Sequence, residues 1–191
     1  MPSPARFSRQ QLRQFRGATV DDLIRDDVRL MFVGINPGLW TAAVNAHFAR
    51  RGNRFWPALH EAGITPRLIE CSNGMSAPDC EMVLAAGIGI TNLVPTATAR
   101  ADELSRADLR LGGARLVELV ERVRPTVVAV LGLTAYRHAL GVPSAIAGRQ
   151  TGRLARAELW VLPNPSGLNA HETIDSLAAA YRQAAHAAEI L

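Results

Sequence analysis

Short apolar runs alternate with segments of helical periodicity along most of this chain. The runs lie at residues 28–33, 89–94, 126–131 and 158–162, and each is bounded by turn residues. Such runs are typical of buried strands in a parallel sheet. Strands that alternate with helices place those helices on both faces of the sheet. We therefore expect an α/β fold, a three-layer α/β/α arrangement with a mainly parallel central sheet of about four strands.

The other elements follow from weaker patterns. The segment 150–155 is a further strand candidate at the edge of the sheet. We expect one domain that spans 1–191, with a helical leader at 1–27 whose role is open. Apolar spacing and turn residues predict helices or helical turns at 8–15, 19–23, 41–45, 54–62, 66–70, 78–85, 113–123, 134–140 and 171–190.

The first apolar run ends in the sequence Gly34-Ile35-Asn36-Pro37-Gly38. Ligands of open α/β sheets bind outside the carboxyl ends of the strands. The proline stiffens this corner, and the glycines allow a ligand to approach the backbone closely. Asn36 is therefore expected to hold its amide over the sheet edge. The alternative is a strand-to-loop turn with a capping asparagine.

A second asparagine stands beside prolines at the end of another strand candidate. The run at 159–162 leads into Pro163-Asn164-Pro165-Ser166-Gly167-Leu168-Asn169. Like Asn36, this asparagine would stand at the carboxyl end of a strand, where ligands of open α/β sheets bind. The alternative role for Asn164 is that of a turn or helix-capping residue.

Five segments together resemble the mismatch-specific uracil-DNA glycosylases and the related thymine-DNA glycosylases. They occur in that family's order and cover residues 29–185; they are GINPGL at 34–39, GNRFW at 52–56, ITNLV at 90–94, GG at 112–113 and WVLPNPSGL at 160–168. The resemblance implies the fold of the uracil-DNA glycosylase superfamily. It also implies a DNA repair enzyme that flips uracil, thymine or another altered pyrimidine mispaired with guanine and hydrolyses its N-glycosidic bond, leaving an abasic site.

The resemblance implies roles for the corner residues. Asn36 would position the attacking water, although an amide cannot act as a strong base. Gly34 and Ile35 would offer backbone groups to the base oxygens. Asn164 stands where efficient relatives carry histidine, and it would donate to a base oxygen. Asp102 and Glu103 follow the apolar run at 89–94, and either carboxylate could approach the pocket mouth and supply the base that Asn36 cannot be. Asp102 is the second catalytic candidate.

Phe48 is placed by the resemblance where an aromatic side chain stacks on the extruded base. Stacking of this kind is worth about 1–3 kcal/mol per base. The alternative is that Phe48 only packs on the core. Arg50, Arg51 and Arg54 form a basic cluster nearby, which is either a solvated face or a contact to DNA phosphates.

The loop Ser166-Gly167-Leu168-Asn169-Ala170 is expected to enter the DNA stack. An apolar wedge can part base steps and fill the space that a flipped base leaves. Leu168 is the candidate wedge, and the backbone groups beside it would pair with the unpaired guanine. The alternative is that Leu168 anchors the final helix.

The sequence departs from the family at three places. Asn92 replaces a lysine of some bacterial members, Pro95 stands where an acidic residue is common, and Asn169-Ala170 replaces a serine–arginine pair. Phosphate contacts and opposite-base preference are therefore open.

Composition narrows the chemistry. The chain has no lysine, so a lyase step through an internal lysine Schiff base is impossible. Two cysteines are too few for an iron–sulfur cluster, which needs about four, and we expect neither a metal nor a cofactor.

The net charge of +4 fits an anionic partner, here double-stranded DNA with G:U or G:T mismatches. No apolar run approaches the ~20 residues of a membrane span. We expect a cytoplasmic monomer, nucleoid-associated if bacterial.

Two other functions share most of these features. A DNA-lesion binding protein could keep the same pocket with negligible turnover. A small-nucleotide-binding protein of the same fold is the third interpretation, although a free nucleotide needs no wedge.

Overall fold

The structure is a computed structural model that describes residues 7–191. Its centre is a sheet of five strands in the order β2-β1-β3-β5-β4. The strands are β1 (Leu30–Gly34), β2 (Ile88–Asn92), β3 (Val127–Leu131), β4 (Gly148–Leu154) and β5 (Ala157–Leu162). Four strands run parallel, as expected, and β4 pairs antiparallel with β5. The candidate edge segment is thus a true strand, which raises the count to five.

Helices cover both faces of the sheet. They are α1 (Arg9–Arg13), α2 (Leu39–Val44), α3 (Phe55–Glu61), α4 (Ala77–Ala85), α5 (Arg106–Val123), α6 (Leu133–Ala139) and α7 (Ile174–Ala187). One core cluster joins α3, α4 and α7 to the sheet through residues such as Phe32, Phe55 and Tyr181. The other joins α5 and α6 to the opposite face through Met31 and Val33. The predicted α/β/α layers are confirmed, and none of the described helices is long and apolar enough to cross a membrane.

Two segments that were predicted to be helical are not helices. The segment 19–23 is extended, because Thr19 bridges Thr96 and Leu23 exchanges backbone hydrogen bonds of 2.9 and 2.8 Å with Ile90. The segment 66–70 forms bends and irregular chain, and it turns Ile69 into the core. Pairing and burial outweighed the local pattern in both places.

Helix α5 begins seven residues earlier than the apolar stripe predicts. Ser105 and Asp108 form a reciprocal capping box at its first turn. The double glycine at 112–113 then lies inside the helix, against backbone atoms of Leu93 and Ala139. The helix therefore packs closer to its neighbours than a larger side chain would allow.

The leader packs against the domain where it is described. Val20 is buried with Ala42 and Ala97, and the Phe7 ring meets the Trp40 ring edge-on at 5.2 Å. These contacts place the leader beside α2, the helix that follows β1, and beside the chain that follows β2.

The sheet brings the two asparagine corners together. Strands β1 and β5 both pair with β3, one on each side. A side-chain carbon added at Gly132, just after β3, would lie 3.2 Å from Ile35 Cδ1 and 3.8 Å from Asn164 Nδ2. The two corners thus converge above the end of β3, at one edge of the sheet.

Candidate active site

A cavity of about 320 Å³ opens at this edge of the sheet. That volume is sufficient for a small-molecule group such as a nucleobase. Most of the predicted site residues line the cavity: Gly34, Ile35, Asn36, Phe48, Asp102, Asn164, Ser166 and Leu168. Gly167, Asn169 and Ala170 lie in the adjoining loop rather than on the cavity wall.

The Asn36 side chain has a fixed orientation. Its Nδ2 donates to the carbonyls of Pro37 and Thr96, each at 3.2 Å, and to Thr98 Oγ1 at 2.8 Å. Carbonyl oxygens only accept hydrogen bonds, so the side-chain atom of Asn36 that faces Pro37 and Thr96 is the nitrogen. No described residue donates to Oδ1, which leaves this oxygen as an acceptor at the cavity wall.

Asn164 has the opposite orientation. Its Oδ1 accepts from the Ser166 backbone amide at 2.9 Å, which closes a local turn. That contact assigns Nδ2 to the other side of the group, near Gly132. The turn role and a donor role toward the cavity are therefore compatible. The cavity holds one amide oriented as an acceptor and one oriented as a donor.

Phe48 takes part in the core and in the cavity wall at once. Its ring stacks on Phe55 with a centroid distance of 4.0 Å and an interplanar angle of 27°. Its backbone is left-handed, with φ of 57°, which turns the side chain back over β1. The ring end comes within 3.3 Å of a carbon added at Gly34. Core packing is thus present, and it leaves Phe48 on the cavity wall.

Gly34 is glycine because two side chains approach it closely. A carbon added there would lie 2.4 Å from Asn92 Oδ1, well inside van der Waals contact. Asn92 is the last residue of β2, the strand beside β1, and it lines the cavity. Sequence reasoning identified Asn92 only as a departure from the family. The sequence signal for Asn92 was its position at the carboxyl end of a buried strand, which was not used to place it at the site.

Asn92 is oriented by a buried histidine that sequence reasoning missed. His47 Nε2 lies 2.9 Å from the Asp21 carbonyl and therefore donates to it. In the neutral ring Nδ1 is then an acceptor, and it lies 3.4 Å from Asn92 Nδ2. His47 is only 4% exposed, and burial lowers the pKa of its ring against weaker opposing effects of Asp21 and Asp22. A neutral His47 thus holds Asn92 with Oδ1 toward Gly34.

This burial predicts a pH-dependent stability. The unfolded chain protonates His47 below its ordinary pKa of 6.5, while the folded ring stays neutral. The free energy of unfolding should therefore fall as pH drops below about 6.5, by at most about 1.4 kcal/mol per pH unit from this group. Above that pH the contribution is constant. Urea unfolding between pH 5 and 8 should show a flatter profile for His47→Gln than for wild type.

The matched control is His186→Gln, at an exposed histidine of α7. It should leave the wild-type pH profile in place. A His47→Gln profile as steep as wild type would contradict the neutral assignment.

Asp102 lies at the cavity mouth and is engaged elsewhere. It is on a short 3₁₀ turn, Ala101–Glu103, and its side chain is 62% exposed. Arg100 binds both carboxylate oxygens, at 2.5 and 3.1 Å. Glu103 accepts from the Arg100 amide and pairs with Arg16, away from the wall. The carboxylate of Asp102 thus forms an ion pair with the Arg100 guanidinium and is not held over Asn36.

Leu168 does not anchor the final helix. It is 78% exposed, the most exposed of the large apolar side chains described, although its atoms contribute to the cavity mouth. Its backbone amide donates to Ser166 Oγ at 3.3 Å. An exposed leucine held on a local turn is available to a partner.

The three arginines of the predicted basic cluster do not share one environment. Arg50 lines the cavity and Arg51 is exposed beside it. Arg54 is half-buried and donates to the backbone carbonyls of Ser166 and Asn169. It therefore belongs to neither a solvated face nor a phosphate contact. The correction follows from its position at the start of α3, against the Pro165 carbonyl.

The sequence profile of the Uracil DNA glycosylase superfamily matches residues 22–186, most of the chain. This chain belongs to that superfamily. The matched region contains every residue of the cavity wall.

A solved structure has the same fold. It is the solution NMR structure of a candidate uracil DNA glycosylase from Methanosarcina acetivorans, which is 14% identical in sequence with a TM-score of 0.59. The match covers 89% of this chain and 99% of that one. The superfamily match supports a DNA glycosylase, and the structural match shows a shared fold.

Proposed function

We propose that this protein is a monofunctional, mismatch-specific DNA glycosylase. It binds duplex DNA as a monomer, extrudes uracil opposite guanine and hydrolyses the N-glycosidic bond, leaving an abasic site. Thymine and other altered pyrimidines opposite guanine are weaker substrates. The observation that carries the proposal is the pair of oppositely oriented amides, Asn36 and Asn164, at one cavity.

The extruded base occupies the cavity against Phe48. Asn164 Nδ2 and the backbone around Gly34 and Ile35 donate to its oxygens, where negative charge develops as the base departs. Donors aimed at developing charge stabilise a transition state without reorganisation. The base leaves as an anion as its bond to C1′ breaks.

Asn36 Oδ1 accepts a hydrogen bond from the water that forms the new bond at C1′. Asn36 cannot take the water's proton, which passes to solvent or to the departing base. Neither asparagine carries charge, so rates should be modest and should depend on how easily the base leaves and how easily it is extruded. Mismatched bases cost less to unstack, which favours G:U and G:T over paired substrates.

DNA contacts around the mouth follow from position and charge. Arg50 and Arg51 bind phosphates beside the cavity, in line with the net charge of +4. Leu168 enters the stack from the exposed loop and fills the vacated space. The loop backbone at 167–170 faces the unpaired guanine.

Opposite-base preference gives the sharpest test. Duplexes that differ only in the uracil partner (guanine or adenine), a G:T duplex and a single strand would be incubated with stoichiometric enzyme, and abasic sites would be counted after alkali. We expect G:U to react fastest, G:T more slowly, and A:U least among the uracil duplexes. Equal rates on G:U and A:U would contradict mismatch specificity while leaving uracil excision intact. Tight G:U binding without abasic sites would indicate a lesion-binding protein instead.

A further inference from the structure

Arg54 makes an unusual set of contacts for a residue in a basic cluster. Its guanidinium donates to three backbone carbonyls, those of Ser166 at 2.5 Å, Asn169 at 2.7 Å and Glu172. Its backbone amide donates to the Pro165 carbonyl at 3.0 Å. All four acceptors lie in the segment 165–172, which contains the wedge loop.

The same segment is pressed against the turn that carries Arg54. A side-chain carbon added at Gly167 would lie 2.6 Å from the Gly52 carbonyl, a distance that real side chains do not tolerate. Within the loop, Asn169 Nδ2 also donates to the Asn164 carbonyl at 3.1 Å. The GNRFW turn and the wedge loop thus form one backbone-to-backbone unit.

The chemistry of arginine suits this position. A planar guanidinium offers five donors in a fixed fork, whereas a lysine ammonium offers a compact point charge. None of the ion pairs among the described residues includes Arg54, and its Nε is buried without a partner. Carbonyl dipoles of the loop therefore compensate this charge. A half-buried charge of this kind fixes the loop strongly, because any other loop conformation leaves it uncompensated.

We propose that Arg54 is a positioning residue that holds the wedge loop in its DNA-inserting conformation. Its contacts keep the Leu168 side chain exposed at the cavity mouth. They also hold the segment between Asn164 and α7 in one conformation. This inference rests on the proposed function, since the wedge acts only on duplex DNA. Arg54 itself touches neither the base nor the water; it acts through the loop.

Two readouts and three variants test this role. Arg54→Met removes the donors, and Arg54→Lys keeps the charge. Gly167→Ala pushes the loop away from the Gly52 carbonyl without changing Arg54. The control is Arg182→Met, because Arg182 also donates to backbone carbonyls, those of Glu61 and Ala62 at the other end of α3. The readouts are amide hydrogen exchange in residues 165–172 and single-turnover uracil release from a G:U duplex and from a single strand.

Arg54→Met should speed exchange in the loop by at least about tenfold. It should also lower the duplex-to-single-strand rate ratio by about tenfold or more, the lower end of an unstacking cost. Gly167→Ala should do the same, and Arg54→Lys should lie between Arg54→Met and wild type. Arg182→Met can lower the melting temperature but should leave both readouts unchanged.

Wild-type exchange in the loop of both Arg54→Met and Gly167→Ala would overturn the proposal, as would a rate ratio equal to that of Arg182→Met. If Arg54→Met does not fold, Arg54→Lys and Gly167→Ala decide by the same criteria. If even the wild type releases no uracil, the proposed function fails, and the exchange measurement still decides whether Arg54 holds the loop.

Discussion

Replacement of Asn36 by alanine is expected to slow uracil release about 100-fold in single-turnover assays, with mismatch binding nearly unchanged. The loss is the scale expected when one positioned hydrogen-bonding group is removed from a hydrolytic site. Binding should persist because Phe48, Asn164 and the wedge loop are untouched. Rates would be measured on a G:U duplex with enzyme in excess, and binding by titration of the same duplex.

Asp102→Asn is the matched test of the competing assignment. We expect a loss of less than about threefold, because the Asp102 carboxylate is exposed and bound to Arg100. A large loss for Asp102→Asn together with a mild Asn36→Ala would reverse the assignment and make Asp102 the base.

The contacts of Asn36 also show why aspartate is not an equivalent residue at this corner. The Nδ2 atom faces two carbonyl oxygens, those of Pro37 and Thr96. A carboxylate oxygen in the same place would meet acceptors that cannot donate to it. An aspartate at position 36 would therefore need a different arrangement of the loop that contains Thr96 and Thr98.

Leu168→Ala is expected to lower duplex activity by about 1–3 kcal/mol, roughly five- to 150-fold, the scale of base unstacking. Activity on a single strand should change little, because wedging lowers an extrusion cost that an unstacked base does not have. Stability should change by less than about 0.5 kcal/mol, since the side chain is 78% exposed and fills no core space.

Thermal unfolding and the two rates on this one variant decide between the alternatives. A buried anchor would lose about 2–5 kcal/mol of stability on truncation. A large drop in melting temperature, with equal losses of activity on duplex and single strand, would contradict the wedge. Ile146→Ala is a suitable control, because Ile146 is 71% exposed and absent from the cavity wall.

The parallel strands could be predicted from sequence because their cores are continuous apolar runs. Every residue of β1, β2 and β3 is buried, which leaves a clear signal without any partner information. The edge strand β4 is polar and half exposed, so its pairing with β5 was harder to predict. The helix predicted at 19–23 was wrong because bridges to distant residues decide the conformation of this segment, and a local pattern does not contain them.

The position of a site residue was predictable where it depends on the end of that residue's own strand. Asn36 and Asn164 lie at such ends, and the convergence of their corners follows from strand order. The His47–Asn92 contact joins positions 45 residues apart, and no spacing rule connects them. Arg54 was assigned to a basic surface because its charge is visible in sequence, whereas its acceptors, backbone carbonyls more than 110 residues away, are not.

The central claim is that this cavity hydrolyses a glycosidic bond without forming a covalent link to the enzyme. The most direct measurement is the detection of free uracil by mass spectrometry after a single turnover on a G:U duplex, with the DNA strand analysed before and after alkali. We predict one equivalent of free uracil, a strand that is intact until alkali cleaves it, and no DNA-linked protein after borohydride. Bound duplex with no free uracil above the uncatalysed level would contradict the account.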